Sequence, residues 1–137
     1  MSKADKWYRD GILYAQMAYC LCTSQKQFKK RLKEIGAADY EHPFISPGVD
    51  GATHFVEGEE GINALVCVPL ESEVLNQMGL IVHEAMHVWQ VALEMIGETD
   101  VGSETEAYSV QHIAQRLFTE WVIRQKDLQI VTPDVKK

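Results

Sequence analysis

Cysteine is scarce in this chain, and its arrangement excludes two common roles. The 137 residues include three cysteines, Cys20, Cys22 and Cys67. An odd number with a C-x-C spacing fits neither a framework of disulfide bonds nor a zinc knuckle. We therefore expect reduced, mostly buried thiols in a protein that works in a reducing compartment.

Basic residues are also few relative to acidic ones. The chain has 13 Lys and Arg against 20 Asp and Glu, which gives a formal net charge of −7 at pH 7. Nucleic acid is therefore not an expected partner, because general binding to it has no electrostatic support. A local exception is the basic stretch Lys26, Lys29, Lys30, Arg31 and Lys33. A solvated helix face accounts for it, and a docking surface for an acidic partner is the alternative.

Long hydrophobic runs are missing as well. Residues 11–22 are apolar only in patches and include Gln16, so they do not form the continuous apolar centre of a secretory signal. They are also too short to span a bilayer. We therefore expect no membrane partner, and a protein that is cytoplasmic or carried inside a larger particle. The hydrophobic fraction of 46% and the length predict one globular domain over residues 1–137.

The pattern of apolar residues predicts an α+β fold. Spacings of three and four residues predict an N-terminal helix, and Ser24-x-x-Gln27 is a capping box for a second helix that ends at Gly36. A loop rich in proline and glycine then leads into a β-hairpin, expected to form a small antiparallel sheet. The predicted elements are helices over 4–22 and 24–35, a hairpin over about 52–68, and helices over about 72–96 and 104–125. In this prediction residues 1–36 form a helical N-terminal part, residues 50–125 form the core that holds the metal site, and residues 126–137 form a loose tail.

One stretch inside the third predicted helix has a specific chemical meaning. His83-Glu84-x-x-His87 places two imidazoles four residues apart, nearly one above the other on a helix. This suits two nitrogen ligands of a tetrahedral zinc ion, at roughly 2.0–2.1 Å from the metal. Glu84 lies about 100° round the helix, where it reaches a water activated by the metal without being a ligand. The pattern predicts one zinc ion per chain, held by His83 and His87, with Glu84 as general base.

A zinc site of this kind needs a third protein ligand, and Glu104 and Glu106 are the candidates. Glu106 lies on a helical row that borders the apolar face of the last helix, whereas Glu104 lies on a mostly polar row. We therefore expect Glu106 to be the ligand. Ser103-x-x-Glu106 is also a capping box, in which Glu106 would bond the backbone of Ser103 instead.

These residues resemble those of a known class of enzymes. The stretch 83–87, followed by 18 residues and Glu106, is similar to the gluzincin zinc peptidases, and Glu-Ala-Tyr-Ser at 106–109 resembles the run around the third ligand of thermolysin-like enzymes. The chain also resembles small zinc metallopeptidase-like proteins encoded by phages and prophages. The resemblance implies a minimal zincin-like domain, located in the host cytoplasm or within a phage particle. It is carried by Thr-His-Phe at 53–55, Ala-Leu-Val-Cys at 64–67, His-Glu-Ala-x-His-Val-Trp-Gln at 83–90 and Glu-Ala-Tyr-Ser-x-Gln at 106–111.

The chain departs from the thermolysin-like pattern at two points. Those enzymes have an Asp four residues after the third ligand, which orients a histidine, and Val110 stands there in this sequence. Support for the histidines is therefore expected from Asn76, Gln90 or a backbone carbonyl. No tyrosine or histidine is obvious for stabilising the oxyanion of the transition state. The candidates for that role are Tyr108, His54 and His112.

These observations predict a zinc-dependent metallopeptidase that hydrolyses a peptide bond in a peptide or protein substrate. The strand over 62–68 precedes the histidine helix, and we expect it to pair with extended substrate as an edge strand. The alternative is a zinc-bearing structural or assembly component of a phage particle, with a silent or degenerate peptidase site and with other phage proteins as partners. The missing Asp, the lack of a second, substrate-binding domain and the lysine-rich helix favour this alternative. A toxin or host-directed effector is a third interpretation.

Overall fold

The computed structural model describes residues 6–9 and 17–131, with side chains as far as residue 127. The fold is α+β, as predicted, with three helices and a four-stranded mixed sheet in the order β1-β2-β4-β3. No helix in the described ranges has the length and apolar character needed to cross a membrane. The elements are β1 (Trp7–Tyr8), β2 (Met17–Cys22), α1 (Gln25–Glu34), β3 (Ala52–Gly58), β4 (Gly61–Cys67), α2 (Val74–Ile96) and α3 (Ser103–Val131).

The predicted N-terminal helix over 4–22 is wrong, because the described part of this segment forms the strands β1 and β2. Residues 4–5 and 10–16 of the prediction lie outside the described residues. All six residues of β2 are buried. A strand that is covered on both faces loses the alternation of apolar and polar residues, so a dense apolar run matches helical spacing equally well.

The sheet is mixed rather than antiparallel. β3 and β4 form the predicted antiparallel hairpin around a turn at Glu59 and Glu60. β2, however, pairs with β4 in parallel, with Met17 opposite Ile62 and Cys22 opposite Cys67. The chain between β2 and β4 contains α1 and β3, which is long enough for the crossover that parallel pairing requires. As a result β4 lies inside the sheet and β3 lies at its edge.

Helix α1 covers one face of the sheet through Phe28 and Leu32. Its predicted start is confirmed: the Ser24 side chain accepts a hydrogen bond from the Gln27 backbone N–H at 3.2 Å. Its predicted glycine end is also confirmed, since Gly36 has φ of 76°, a left-handed value that glycine adopts without strain. The four lysines of this helix are exposed, while Phe28 and Leu32 reach the core. Arg31, expected on the same solvated face, is instead buried, and its Nη1 donates to Oε1 of Glu34 at 2.8 Å.

The three cysteines lie under α1 and are buried free thiols, as the sequence predicts. Burial raises the pKa of Cys20 and the pKa of Cys67 well above the usual range of a thiol. Buried, protonated thiols of this kind react slowly, so these two residues contribute packing volume to the sheet. The reducing compartment inferred from them stays a prediction.

Helices α2 and α3 pack against each other and against the opposite face of the sheet. Both were predicted, although α3 starts at Ser103 and extends to Val131, so residues 126–131 of the expected loose tail are helical and 132–137 lie outside the described residues. The spacing of apolar residues predicts a buried stripe along α2 formed by Val74, Met78, Val82, Ala85, Trp89, Leu93 and Ile96. This prediction is partly wrong, since Val74 and Val82 are exposed. The buried residues of α2 are Gln77, Ile81, Glu84, Ala85, Val88, Trp89 and Ala92.

Replacing Gly58 or Gly79 with alanine is expected to have opposite effects on the stability of the fold. A Cβ at Gly58 would lie 2.7 Å from the Ile35 carbonyl oxygen and 2.8 Å from Nδ2 of Asn63, whereas a Cβ at Gly79 would meet nothing within 4 Å. We expect Gly58→Ala to lower the free energy of unfolding by about 1–3 kcal/mol through overpacking. Gly79→Ala should raise it by about 0.5–1 kcal/mol, because glycine weakens the interior of α2.

Urea unfolding followed by circular dichroism measures both glycine variants against the wild type. Each variant is the control for the other, because both make the same chemical change. A Gly58→Ala protein as stable as the wild type would show that the hairpin does not approach Ile35 this closely.

Candidate active site

The two histidines of the predicted metal site lie side by side on the exposed surface of α2. Nε2 of His83 and Nε2 of His87 are 3.2 Å apart, and the two ring planes are nearly perpendicular, at 84°. Nδ1 of His87 is 3.1 Å from Oε1 of Gln90. When that Nδ1–H donates to the amide oxygen, Nε2 of His87 keeps its lone pair and points it at His83.

The spacing of the two nitrogens matches what a zinc ion requires. Two ligands at 2.0–2.1 Å from a tetrahedral zinc ion lie roughly 3.3 Å from each other, close to the 3.2 Å between His83 and His87. The contact between Gln90 and His87 fixes one ring orientation in the manner typical of histidine ligands. The histidine pair therefore fits two of the positions around a zinc ion.

Glu84 faces the sheet side of the same helix and is 5% exposed. Its Oε1 accepts a hydrogen bond of 2.7 Å from Oγ1 of Thr53 on β3. The residue follows His83 directly, so the carboxylate and the imidazole pair border the same region of α2. A buried carboxylate with a neutral donor and a neighbouring imidazole pair has the chemical character of a proton acceptor.

A cleft of about 570 Å³ opens beside these residues, between α2 and the segment that leads into β3. Both His83 and Glu84 line it, together with Asn76, which was expected near the histidines. Asn76 Nδ2 donates to Oε1 of the neighbouring Gln77 at 2.8 Å. The remaining lining residues are Gly48, Val49, Asp50, Gly51, Leu75, Gly79 and Leu80.

The strand available at this cleft differs from the one predicted. The expected edge strand over 62–68 corresponds to β4, which is paired on both sides by β2 and β3. Its backbone is therefore committed to the sheet and cannot pair with another chain. Among the described strands, β3 and the two-residue β1 lie at the two edges of the sheet, and Thr53 of β3 contacts the helix that bears the histidines.

Glu106, the expected third ligand, lies elsewhere in the described arrangement. Its Oε2 accepts a hydrogen bond of 3.1 Å from Nε1 of Trp89. Trp89 follows His87 by two positions, so the two side chains project about 200° apart around α2. Among the described residues, no three His, Cys, Asp or Glu side chains come together in a group that could hold a metal ion.

The capping box at the start of α3 has also not formed in the predicted way. The Glu106 backbone N–H donates to the Gly102 carbonyl at 3.1 Å, and its carboxylate is turned toward Trp89 rather than back to Ser103. Glu104, the other candidate ligand, is exposed. The partner of Glu106, Trp89, was not identified from the sequence, because the indole reaches α3 only through the packing of the two helices.

The candidates for oxyanion stabilisation are not gathered at the histidine pair. His54 lies on the α1 face of the sheet, where its ring contacts the Tyr40 hydroxyl and the Phe44 carbonyl, each at 3.0 Å. Tyr108 is 67% exposed on α3. His112 is half-buried on the same helix and has interaction partners of its own. Thr53 is a site residue that the sequence did not reveal, although its position next to His54 places it on the opposite face of β3.

Comparison of the chain with family models, with curated proteins and with solved structures finds no match.

Proposed function

We propose that this protein is a zinc-dependent peptidase that uses His83, His87 and Glu106 as zinc ligands and Glu84 as general base. The observation that supports the proposal is the pair of Nε2 atoms 3.2 Å apart on α2. His83 of this pair lines a cleft that is also lined by the buried carboxylate of Glu84. Two aligned imidazoles and an adjacent glutamate on one helix supply two of the three protein ligands and the general base that zinc-dependent hydrolysis requires.

The roles of the protein groups follow from their positions. A zinc ion, when bound, supplies the Lewis acidity that makes water a nucleophile at neutral pH and polarises the scissile carbonyl. Glu84 takes the proton of the attacking water and delivers it to the leaving amine. Thr53 occupies one oxygen of that carboxylate, and the other oxygen serves the proton transfer. Gln90 holds the ring of His87 in a fixed orientation.

The proposed substrate is an extended peptide that pairs with the edge strand β3. Since β4 is internal, β3 is the strand whose outer backbone groups can hydrogen-bond a further strand at the cleft. Thr53 joins this strand to Glu84, so a peptide on β3 lies next to the general base. Gly51 and the residues before it form the wall of the cleft that faces α2.

The proposal requires Glu106 to exchange one partner for another. Its carboxylate now accepts the Trp89 indole N–H, and as a zinc ligand it would have to turn toward the histidines. We expect Glu106→Ala to weaken zinc binding by at least about 10–100-fold, the loss typical when even an outer partner of a metal ligand is removed. Glu104→Ala, an exposed residue on the same turn, is the matched control and should bind zinc like the wild type.

Competition with a chromogenic chelator measures the zinc affinity of both variants. An unchanged affinity in Glu106→Ala would remove this residue from the ligand set and leave it as the partner of Trp89 alone.

The function itself is tested with the purified chain, loaded with zinc and incubated with peptides derived from a whole proteome. We expect one zinc ion per chain and new peptide termini that share a sequence preference. The control is His83→Ala, which removes one ligand and should lose both zinc and cleavage. The absence of new termini above this control, at full zinc occupancy, would reject the peptidase.

A second candidate function is a zinc-bearing structural or assembly component of a phage particle. The observation in its favour is the contact between Glu106 and Trp89, which leaves the histidine pair without a third protein ligand from the described part of the chain. On this interpretation the exposed histidines would share a zinc ion with another phage protein. A zinc ion bound tightly only in the presence of particle proteins, with no cleavage by the isolated chain, would distinguish it.

A further inference from the structure

Thr53 lies where the edge of the sheet meets the helix of the histidines. Side chains alternate along β3, so Thr53 is on the α2 face and His54 on the α1 face. Oγ1 of Thr53 donates a hydrogen bond of 2.7 Å to Oε1 of Glu84. The contact spans 31 positions of sequence and ties the sheet edge to the candidate base.

This hydrogen bond has a consequence for the carboxylate of Glu84. The terminal torsion of a glutamate has a broad energy profile, so an unrestrained carboxylate rotates easily. A hydroxyl bonded to an ionised carboxylate forms a short, charge-assisted contact that selects one orientation. Because Oε1 is taken by Thr53 and the side chain is 5% exposed, the direction of the second oxygen is set by the same contact.

We infer that Thr53 is a positioning residue for Glu84, and that it couples the orientation of the base to the strand on which the peptide lies. The inference rests on the proposed peptidase function and extends it to a residue with no part in metal binding. Thr53 acts through Glu84 and does not contact the reacting atoms. Its backbone belongs to β3, so a peptide paired with that strand is placed in register with the residue that holds the base.

The test compares two substitutions that separate the hydroxyl from the shape of the side chain. Thr53→Val keeps the branched shape and loses the donor, whereas Thr53→Ser keeps the donor. We expect Thr53→Val to lower kcat by about 10–100-fold, as loss of an orienting partner typically does, with KM and bound zinc unchanged. Thr53→Ser should retain most of kcat. Thr119→Val, the same change on an exposed position of α3, is the control for the substitution itself.

A second measurement does not depend on activity. The thermal midpoints of Thr53→Val, Glu84→Ala and the double variant are compared. Glu84→Ala removes the acceptor of the hydrogen bond, and two residues in direct contact give shifts that do not add. Additive shifts would overturn the inference, as would Thr53→Val with wild-type kcat or equal losses in the Val and Ser variants. The activity of Glu84→Gln distinguishes failure of the positioning role from failure of the peptidase function. If Glu84→Gln is inactive while Thr53→Val is fully active, only the positioning role of Thr53 is rejected. If the zinc-loaded wild type cleaves nothing, the peptidase function and this inference fail together.

Discussion

Replacing Glu84 with Gln is expected to lower peptide cleavage by about 10²–10⁴-fold, the usual contribution of a general base, while one zinc ion per chain stays bound. The amide has the volume of the carboxylate and can still accept the hydroxyl of Thr53, so the fold is preserved. It cannot take up the proton of the attacking water. We expect metal binding to be unaffected, because the proposed ligand atoms on α2 are the Nε2 atoms of His83 and His87 and not the carboxylate of Glu84.

The measurement combines metal analysis with the cleavage rate of a peptide found in the proteome-wide comparison. Glu94→Gln makes the same change at an exposed position of the same helix and should behave like the wild type. Cleavage by Glu84→Gln at the wild-type rate would remove Glu84 from the mechanism. Loss of zinc from this variant would instead show that the carboxylate helps to hold the metal.

Breaking the ion pair between Arg124 and Glu120 is expected to cost about 3–5 kcal/mol of folding stability, because a buried charge is left without its partner. Both residues belong to α3 and are buried, with 8% and 1% of their surface exposed. Nη1 of Arg124 also donates to the Leu21 carbonyl at 3.1 Å and to Gln27 Oε1 at 2.6 Å. The guanidinium therefore connects α3 to β2 and α1.

The Tyr8 hydroxyl completes this network by donating to Oε1 of Glu120 at 2.9 Å. Burial, and then the nearby carboxylate, raise the pKa of Tyr8 well above its usual range, so it remains a donor throughout the ordinary pH range. Strand β1 is thereby joined to α3 by the same carboxylate that neutralises Arg124. A loss of about 3–5 kcal/mol is a large part of the 5–15 kcal/mol that holds a typical domain folded.

Urea unfolding of Arg124→Met, Glu120→Leu and the double variant tests this prediction. We expect each single variant to lose stability and the double variant to recover much of it, since a buried pair is often replaced by apolar residues at little cost. Lys126→Met, at an exposed position of α3, should stay within about 0.5 kcal/mol of the wild type. Single variants that lose less than about 1 kcal/mol would show that water reaches the pair.

Helices α1 and α2 were predictable because their signals are local. Ser24 and Gln27 start α1, Gly97 ends α2 with a left-handed φ of 74°, and the spacing of four residues aligns His83 with His87. Each of these depends on neighbours within one or two turns. The β-hairpin was predictable for the same reason, since its strands are joined by a two-residue turn.

The N-terminal strands could not be predicted in this way, because their conformation depends on distant partners. Met17–Cys22 forms a strand that pairs in parallel with Ile62–Cys67. The six residues contain no local pattern from which this pairing could be predicted. The same event decides which strand is the edge. Because β2 pairs with one side of β4 and β3 with the other, β4 is internal, and β3 with its Thr53 lies at the edge of the sheet beside Glu84.

The sequence by itself determined the α+β class, the helix with two aligned histidines and the position of a glutamate between them. Helical geometry makes these local facts, since four residues are about one turn. The tertiary structure alone decided what surrounds them: Thr53 on Glu84, Trp89 on Glu106, and a cleft between α2 and the approach to β3. Each of these contacts joins residues from different elements, so it exists only after the sheet and helices have packed together.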